Sequence, residues 1–346
     1  MLAKMRIIVI GKIGIYYGDF MSLKIIKYLT ILASICSSNA MGSGLYILFA
    51  ARSKSIDIKL NQREHNKYWY DGFADIAARR IKNPEYQKYF DEINESVDNY
   101  FKFIVIQGGS FDMGSPENEE GRYNTEGVIR NISISDFSMQ TTQVTQFQYW
   151  LVTKSNPSKF NRRDNCPDEH VTFNRINLCP NHPVEMVSWD DARLFIQKLN
   201  KKSDGYTYSL PTEAQWEYSA RASTTTRYSF GDDAKDLDSY GWYSGSWYYG
   251  NSKSQTHQVA SLKPNNFGLS DMHGNVGEWV EDNWSESRER FDIKDDPIFK
   301  DSGSVRVVRS GGWGSNPRFL RSARRFYWES DVRSSDLGLR LVRKPN

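Results

Sequence analysis

Cysteine is scarce in this chain, with three among 346 residues, at Cys36, Cys166 and Cys179. The segment after Cys179 contains no thiol. No Cys-x-x-Cys pair is present, which removes the common zinc scaffolds. Histidine is nearly as rare, with five in all. No Ser/His/Asp or metal-ligand spacing surrounds His273, so it reads as structural even though imidazole titrates near neutrality. An excess of one charge is also lacking. The formal net charge is +3, and residues 1–40 hold Lys4, Arg6, Lys12, Lys24 and Lys27 against Asp19, a surplus of 4, which leaves 3 − 4 = −1 for the remainder. A near-neutral body gives no electrostatic footprint for nucleic acid. No apolar run is long enough to cross a bilayer, because the stretch from Tyr28 to Cys36 falls well short of the roughly 20 residues a transmembrane helix needs. Internal repeats are absent as well.

The start of the chain reads as an export signal. Met21-Ser22-Leu23-Lys24 and Lys27 make a short basic region, Tyr28 to Cys36 is mostly apolar, and Ser38-Asn39-Ala40 offers the small residues a signal peptidase reads. On this reading residues 1–40 are a signal region with its start at Met21. Gly11, Gly14 and Gly18 have the wrong spacing for a dinucleotide loop. Leu32-Ala33-Ser34-Ile35-Cys36 fits a second export route, in which Cys36 carries a lipid and anchors the protein to a membrane surface without a span. Both routes place the protein outside the cytoplasm, as a periplasmic, secreted or surface lipoprotein. In an oxidising compartment the pair Cys166 and Cys179 is expected to form a disulfide, worth about 3 kcal/mol by the chain-entropy model. Metal binding with His170 or His182 is the alternative for this pair.

Residues 41–98 read as an N-terminal helical segment. Asn83-Pro84 supplies an N-cap and a first-turn proline, and Tyr86, Tyr89, Phe90, Ile93 and Val97 share one face. From residue 99 to 346 the pattern is that of one larger domain. Phe103 to Ile106 is strand-like and Gly108-Gly109 turns the chain. Ile132, Ile134 and Phe137, set between polar residues, predict another strand. Thr145 with Gln148, Ser188 with Asp191, and Thr212 with Gln215 are capping-box pairs that start three helices. Ala192, Phe195, Ile196 and Leu199 give the second of these a buried face. Ser223 to Lys263 has no periodicity but is rich in Gly, Ser, Tyr and Trp, the pattern of a long irregular stretch with a job to do.

Several phrases then occur in a fixed order. They are Gly108-Gly109-Ser110-Phe111 with Met113-Gly114-Ser115, His182-Pro183-Val184-Glu185 with Val187-Ser188-Trp189-Asp190, and Leu210-Pro211-Thr212-Glu213-Ala214-Gln215-Trp216-Glu217. Next come Asn265 to Trp279, containing Gly274-Asn275-Val276-Gly277-Glu278-Trp279, and Val305 to Trp313, ending in Gly311-Gly312-Trp313. Arg321-Ser322-Ala323 and Leu337-Gly338-Leu339-Arg340 complete the set. Across residues 101–343 the chain resembles the formylglycine-generating enzyme (sulfatase-modifying factor) family. The resemblance implies an α+β, C-type-lectin-like fold with much irregular structure. The family's oxidases use copper and oxygen to convert a sulfatase cysteine to formylglycine, and they hold the copper with two cysteines. Those positions are Ser315 and Leu320 here. Soft thiolates select Cu(I) and neither residue replaces one, so no copper and no such oxidation are expected. His65 alone does not supply the multi-histidine iron site of the sulfoxide-forming relatives.

The resemblance carries two further expectations. Family members bind calcium near the Gly-Asn-x-x-Glu-Trp phrase, which maps to Gly274, Asn275, Val276 and Glu278. The other reading is that Asn275 and Glu278 only bond to a turn. Some exported proteins of this fold are the variable proteins of diversity-generating retroelements. In that likeness Gly311-Gly312-Trp313, Arg321, Arg325, Arg333 and Leu337 to Arg340 form a constant frame, with Arg321 and Arg325 pairing internally with carboxylates. Gly314, Ser315, Asn316, Phe319, Arg324, Phe326, Tyr327 and Trp328 form the ligand-contacting set. Trp242, Trp247, Tyr248 and Tyr249 either border the same groove or serve as partly buried packing. The run Arg324 to Trp328 contains residue types enriched in binding hot spots. The expected function is therefore binding of a protein, peptide or glycan through the tail. An enzyme of different chemistry, acting on an exported peptide or metabolite, is the alternative.

Overall fold

The computed structural model describes residues 100–173, 175–245, 250–286 and 294–346. The expected signal region with Cys36, the expected helical segment over 41–98, and Trp247, Tyr248 and Tyr249 lie outside the described residues.

Twelve strands and three helices build the described domain. Strands β1 (Phe103–Ile106), β4 (Phe137–Gln140), β12 (Val342–Pro345) and β7 (Tyr206–Ser209) form one sheet in the order β1-β4-β12-β7. The chain's last strand therefore sits inside the sheet, with Val342 opposite Met139 on one side and Ser209 on the other. A second sheet has the order β10-β9-β8-β11, from β8 (Gly277–Asn283), β9 (Val305–Arg309), β10 (Phe326–Glu329) and β11 (Leu337–Leu339). Only β11 runs parallel to its neighbour, β8, in this sheet. Two hairpins complete the strands, β2 (Gly109–Met113) with β3 (Ile129–Ile134) and β5 (Val171–Phe173) with β6 (Ile176–Leu178). This mixture of helices and strands confirms the α+β class.

All three helices begin where a hydroxyl and an amide or carboxylate stand three residues apart. Thr145 opens α1 (Gln146–Thr153), Ser188 opens α2 (Trp189–Asn200) and Thr212 opens α3 (Glu213–Arg221), each with both bonds of a capping box formed. Each cap satisfies backbone groups that the first turn leaves orphaned. Helix α2 buries Ala192, Phe195, Ile196 and Leu199 as its spacing predicts, and Phe195 stacks on Tyr149 of α1 with ring centroids 5.2 Å apart.

Alternate residues of a strand face opposite ways, and in β8 and β9 both faces are buried. Trp279 and its register partner Val308 enter one core with Phe195, Leu199 and Leu339. Val280 and Val307 enter a second core with Trp216, Met139 and Ile132. A sheet covered on both sides reads as a continuous apolar run rather than an alternation. The expected strand through Ile132, Ile134 and Phe137 proves to be two, β3 and β4, which belong to different sheets. Ser135 and Asp136 break it: Ser135 N and Oγ donate to Asp296, and Gly108 N donates to Asp136.

Cys166 and Cys179 form a disulfide with Cα atoms 5.8 Å apart. The bridge closes the base of the β5–β6 hairpin. Among the described residues no helix is long and apolar enough to cross a membrane.

Candidate functional site

The tail from β9 to β11 rests on a frame of buried ion pairs. Arg309, from β9, donates to Glu213 Oε1 at 2.6 Å and to Glu217 Oε2 at 2.9 Å, both on α3. Arg325 grips Glu213 with two bonds, at 2.6 and 2.9 Å. Arg321 grips Glu126 with two bonds of 2.7 Å. Arg340 bonds Glu278 at 2.9 and 3.0 Å, and Trp216 Nε1 donates to the same carboxylate at 2.8 Å. These four arginines are almost wholly buried. Planar guanidinium forks meet carboxylates in pairs of parallel bonds, which is how such a charge can be buried at all. Arg321 and Arg325 thus pair internally with carboxylates. Arg333 does so nearer the surface, on Asp191 at 2.7 and 2.8 Å.

Upon this frame the predicted contact residues are spread rather than gathered into one pit. Phe326, Tyr327 and Trp328 lie on β10, which among the described residues pairs only with β9 and so lies at the sheet's edge. Tyr327 is 54% and Trp328 50% exposed. Phe326 is half-buried and leans on the first core. Tyr327 packs against Trp284 at 4.5 Å between ring centroids. Arg324 lies over the Tyr123 ring at 3.8 Å and the Phe326 ring at 4.5 Å, with Phe319 at 5.5 Å. Gly314 is exposed, and Ser315 and Asn316 are half-buried. Tyr123, Arg318 and Trp284 complete this surface without having been singled out in the sequence. Tyr123 and Trp284 arrive from distant loops, but Arg318 stands beside Phe319 and repeats the cation-beside-aromatic pattern of Arg324 to Trp328. Trp242 lies apart from these residues in its contacts: it stacks on His257 at 3.9 Å.

The positions of the family's copper ligands do converge. Gly311 has φ +79°, and a Cβ placed on it would meet Leu320 Cδ2 at 2.7 Å and Ser315 Oγ at 3.1 Å. The donors are wrong, however. Leu320 is a hydrocarbon side chain packed with Tyr228, Leu237 and Tyr243. Ser315 Oγ already accepts a bond from Gly312 N at 3.1 Å. A methyl and a spent hydroxyl give Cu(I) nothing soft to bind, so these residues do not fit that metal.

The residues expected to hold calcium converge too, but on a side chain. Gln143 Nε2 lies 3.1 Å from Gly274 O, 2.9 Å from Val276 O, 3.0 Å from Glu278 Oε1 and 3.3 Å from Asp271 O. Asn275 turns elsewhere, its Oδ1 accepting from His257 N and its Nδ2 donating to His257 O, each at 3.0 Å. The Glu278 charge is met by Arg340. Calcium takes six to eight oxygens at about 2.3–2.6 Å. An amide nitrogen stands where these oxygens would surround the ion, and the four residues do not fit one. The tight path of this loop explains its Gly-Asn phrase: Gly274 has φ +142°, and a Cβ there would lie 2.3 Å from Trp242 O. Among the described residues no other cluster of His, Cys, Asp and Glu is placed for a metal.

His273 is buried and neutral. Its Nδ1 donates to Leu320 O at 2.8 Å, and its Nε2 accepts from Ser229 N at 3.1 Å. Burial pushes its pKa down to about 4. The ring braces the tail from below.

One antiparallel and one mixed sheet around long irregular loops, with a tail held by arginine forks, define a C-type-lectin-like domain of the formylglycine-generating type without its thiolates. The chain belongs to the family described as "Sulfatase-modifying factor enzyme 1-like domain", whose sequence profile matches residues 88–345. It is 26% identical over 270 residues to "Chaperone protein LppX" of Paenibacillus barcinonensis, covering 69% of this chain and 88% of that one. It is 33% identical over 173 residues to the formylglycine-generating enzyme of Streptomyces coelicolor, covering 47% of this chain and about half, 53%, of the enzyme. Among solved structures, Treponema denticola variable protein 1 superposes with a TM-score of 0.60 at 28% identity, covering 71% of this chain and 95% of that one.

Proposed function

We propose that this protein is an exported binding module that meets a protein, peptide or glycan through its tail surface, residues 313–336, and performs no copper oxidation. The observation that carries this reading is the edge strand β10, which offers Tyr327 and Trp328 to solvent on a base locked by buried ion pairs. A rigid base under exposed aromatic anchors is the arrangement hot spots favour. The likeness to Treponema denticola variable protein 1 supports a role for the tail as a retroelement-diversified surface. The disulfide and the likeness to LppX are compatible with export, whether by plain cleavage or by a lipid on Cys36.

Two measurements test the reading. Probing peptide and glycan arrays with the purified protein should give binders that the double variant Tyr327→Ala/Trp328→Ala loses. Equal binding by the variant would place the site elsewhere. Incubation with copper, oxygen and a sulfatase-type cysteine peptide should leave that peptide unmodified, and an aldehyde product in its mass spectrum would defeat the second half of the proposal.

A further inference from the structure

Arg324 is an arginine of the tail that, among the described residues, spends no fork on a carboxylate. Its nearest acidic atom is Glu126 Oε1 at 3.8 Å, and Glu126 already gives both oxygens to Arg321. The Arg324 side chain is 14% exposed, yet its Nε has no hydrogen-bond partner among the described residues. Burial lowers its pKa from the ordinary arginine value. What holds it is aromatic: Tyr123, Phe326 and Phe319 wall the guanidinium. Arg318 stands beside it over the same Tyr123 and Phe319 rings, at 5.1 Å from each, and donates to the Tyr123 hydroxyl. Two cations thus share one aromatic platform, and among the described residues neither has a carboxylate of its own.

Stacking on rings stabilises a guanidinium from its faces but leaves its N–H edge unspent. Partial desolvation of that edge without an acceptor costs free energy. A planar anion supplies the missing acceptors in paired geometry. The adjoining strand adds a second requirement. Among the described residues no hydrogen bond reaches the outer edge of Phe326 to Trp328 on β10, whose only strand partner is β9. An open edge beside charge is a template for an extended chain.

We propose that the tail surface takes an acidic peptide in extended conformation, its backbone pairing along the free edge of β10 and one carboxylate seated on Arg324 and Arg318 over Tyr123. This rests on the binding-module reading above and names its ligand. Tyr327 and Trp328 then flank the added strand, and the frame arginines take no part because their forks are filled.

The test uses the full chain and an end-blocked hexapeptide that alternates glutamate with β-branched residues. Its glutamine counterpart should bind roughly tenfold more weakly, the worth of one charge-assisted bond. Arg324→Gln should lose the same factor at a temperature where wild type and variant are both fully folded. Arg324→Lys should recover only part of it, because an ammonium cannot present the fork. Binding should also slow amide exchange at Phe326 to Trp328. Equal affinity for the glutamate and glutamine peptides, or for wild type and Arg324→Gln, overturns the assignment. So does binding of a glucuronate oligosaccharide in place of the peptide. If array binders are lost in Tyr327→Ala/Trp328→Ala while the acidic peptide never binds, the binding surface stands and only its proposed ligand falls.

Discussion

Two sets of arginines in one short stretch of chain behave in opposite ways. Arg309, Arg321, Arg325 and Arg340 are buried, each clamped on a glutamate, whereas Arg318 and Arg324 lie on aromatic rings nearer the surface. The residue type is the same, so the difference comes from what the rest of the fold presents. Helix α3 turns Glu213 and Glu217 toward the tail, and β8 turns Glu278. The loop carrying Tyr123 presents a ring. Arginine serves as internal scaffold where the fold supplies a carboxylate and as an open hand where it supplies an aromatic face.

The sharpest way to break this comparison is to remove one carboxylate. Glu213→Ala leaves Arg309 and Arg325 buried without their shared partner, and such a loss costs roughly 3–5 kcal/mol. Urea unfolding should show the domain destabilised by that order, whereas Arg324→Gln, which gives up ring contacts but strands no buried charge, should cost only about 0.5–2 kcal/mol. Comparable losses from both variants would erase the distinction between scaffold and hand.

Next in size is the disulfide. Cys166→Ser/Cys179→Ser, or reduction, should cost about 3 kcal/mol by the chain-entropy model. The change lies outside the arginine frame, so peptide binding measured below the new melting temperature should persist. Binding lost together with the bridge would mean that the hairpin it closes supports the tail surface.

Gln143 comes third. Its amide shares two hydrogens among three carbonyls and Glu278, so Gln143→Leu should cost roughly 1–3 kcal/mol by leaving buried acceptors unmet. A chelator should leave the wild-type melting temperature unmoved, and a chelator-induced fall would show that an ion, not the amide, holds this loop.

The smallest effect is a pH dependence. Burial pushes the Glu185 carboxyl up to about 7, against bonds from Phe160 N and Lys159 N that pull it down. In the unfolded chain it ionises near about 4.3. The fold therefore holds a proton that the unfolded chain has released, and this contribution is complete at low pH and lost as pH rises through about 7. His182 and His273, both lowered to about 4, act in the opposite sense: their contribution is lost as pH falls from about 6.5 toward 4. Glu185→Gln isolates the carboxyl. Its stability relative to wild type should improve between about pH 5 and about pH 8, and a difference that stays flat would mean Glu185 is charged in the fold.

What the sequence made legible was local. A capping box needs only a hydroxyl and a partner three residues on, so α1, α2 and α3 could be placed from their first turns. The strand at Phe103 to Ile106 followed from its run of strand-forming residues, and the buried face of α2 from periodicity. The motif order announced the family. Two things were beyond its reach for a physical reason. The exposure of Tyr327 and Trp328 depends on which strand lies at the sheet's edge, and that order is fixed by pairings far apart in the chain. The ring beneath Arg324 belongs to Tyr123, about 200 positions earlier, as does the Thr125 carbonyl beside Arg325. The glutamine amid the Gly274 to Glu278 oxygens likewise comes from a different segment, the one leading into α1.

The place of β12 has a consequence for biogenesis. A ribosome makes this chain from the amino end, so β4 and β7 emerge long before Val342 to Pro345 can lie between them. Until then both wait as unzipped borders, the kind of surface on which stray chains pair. That sheet is closed only when β12 arrives between them, like a bolt shot after the door is hung.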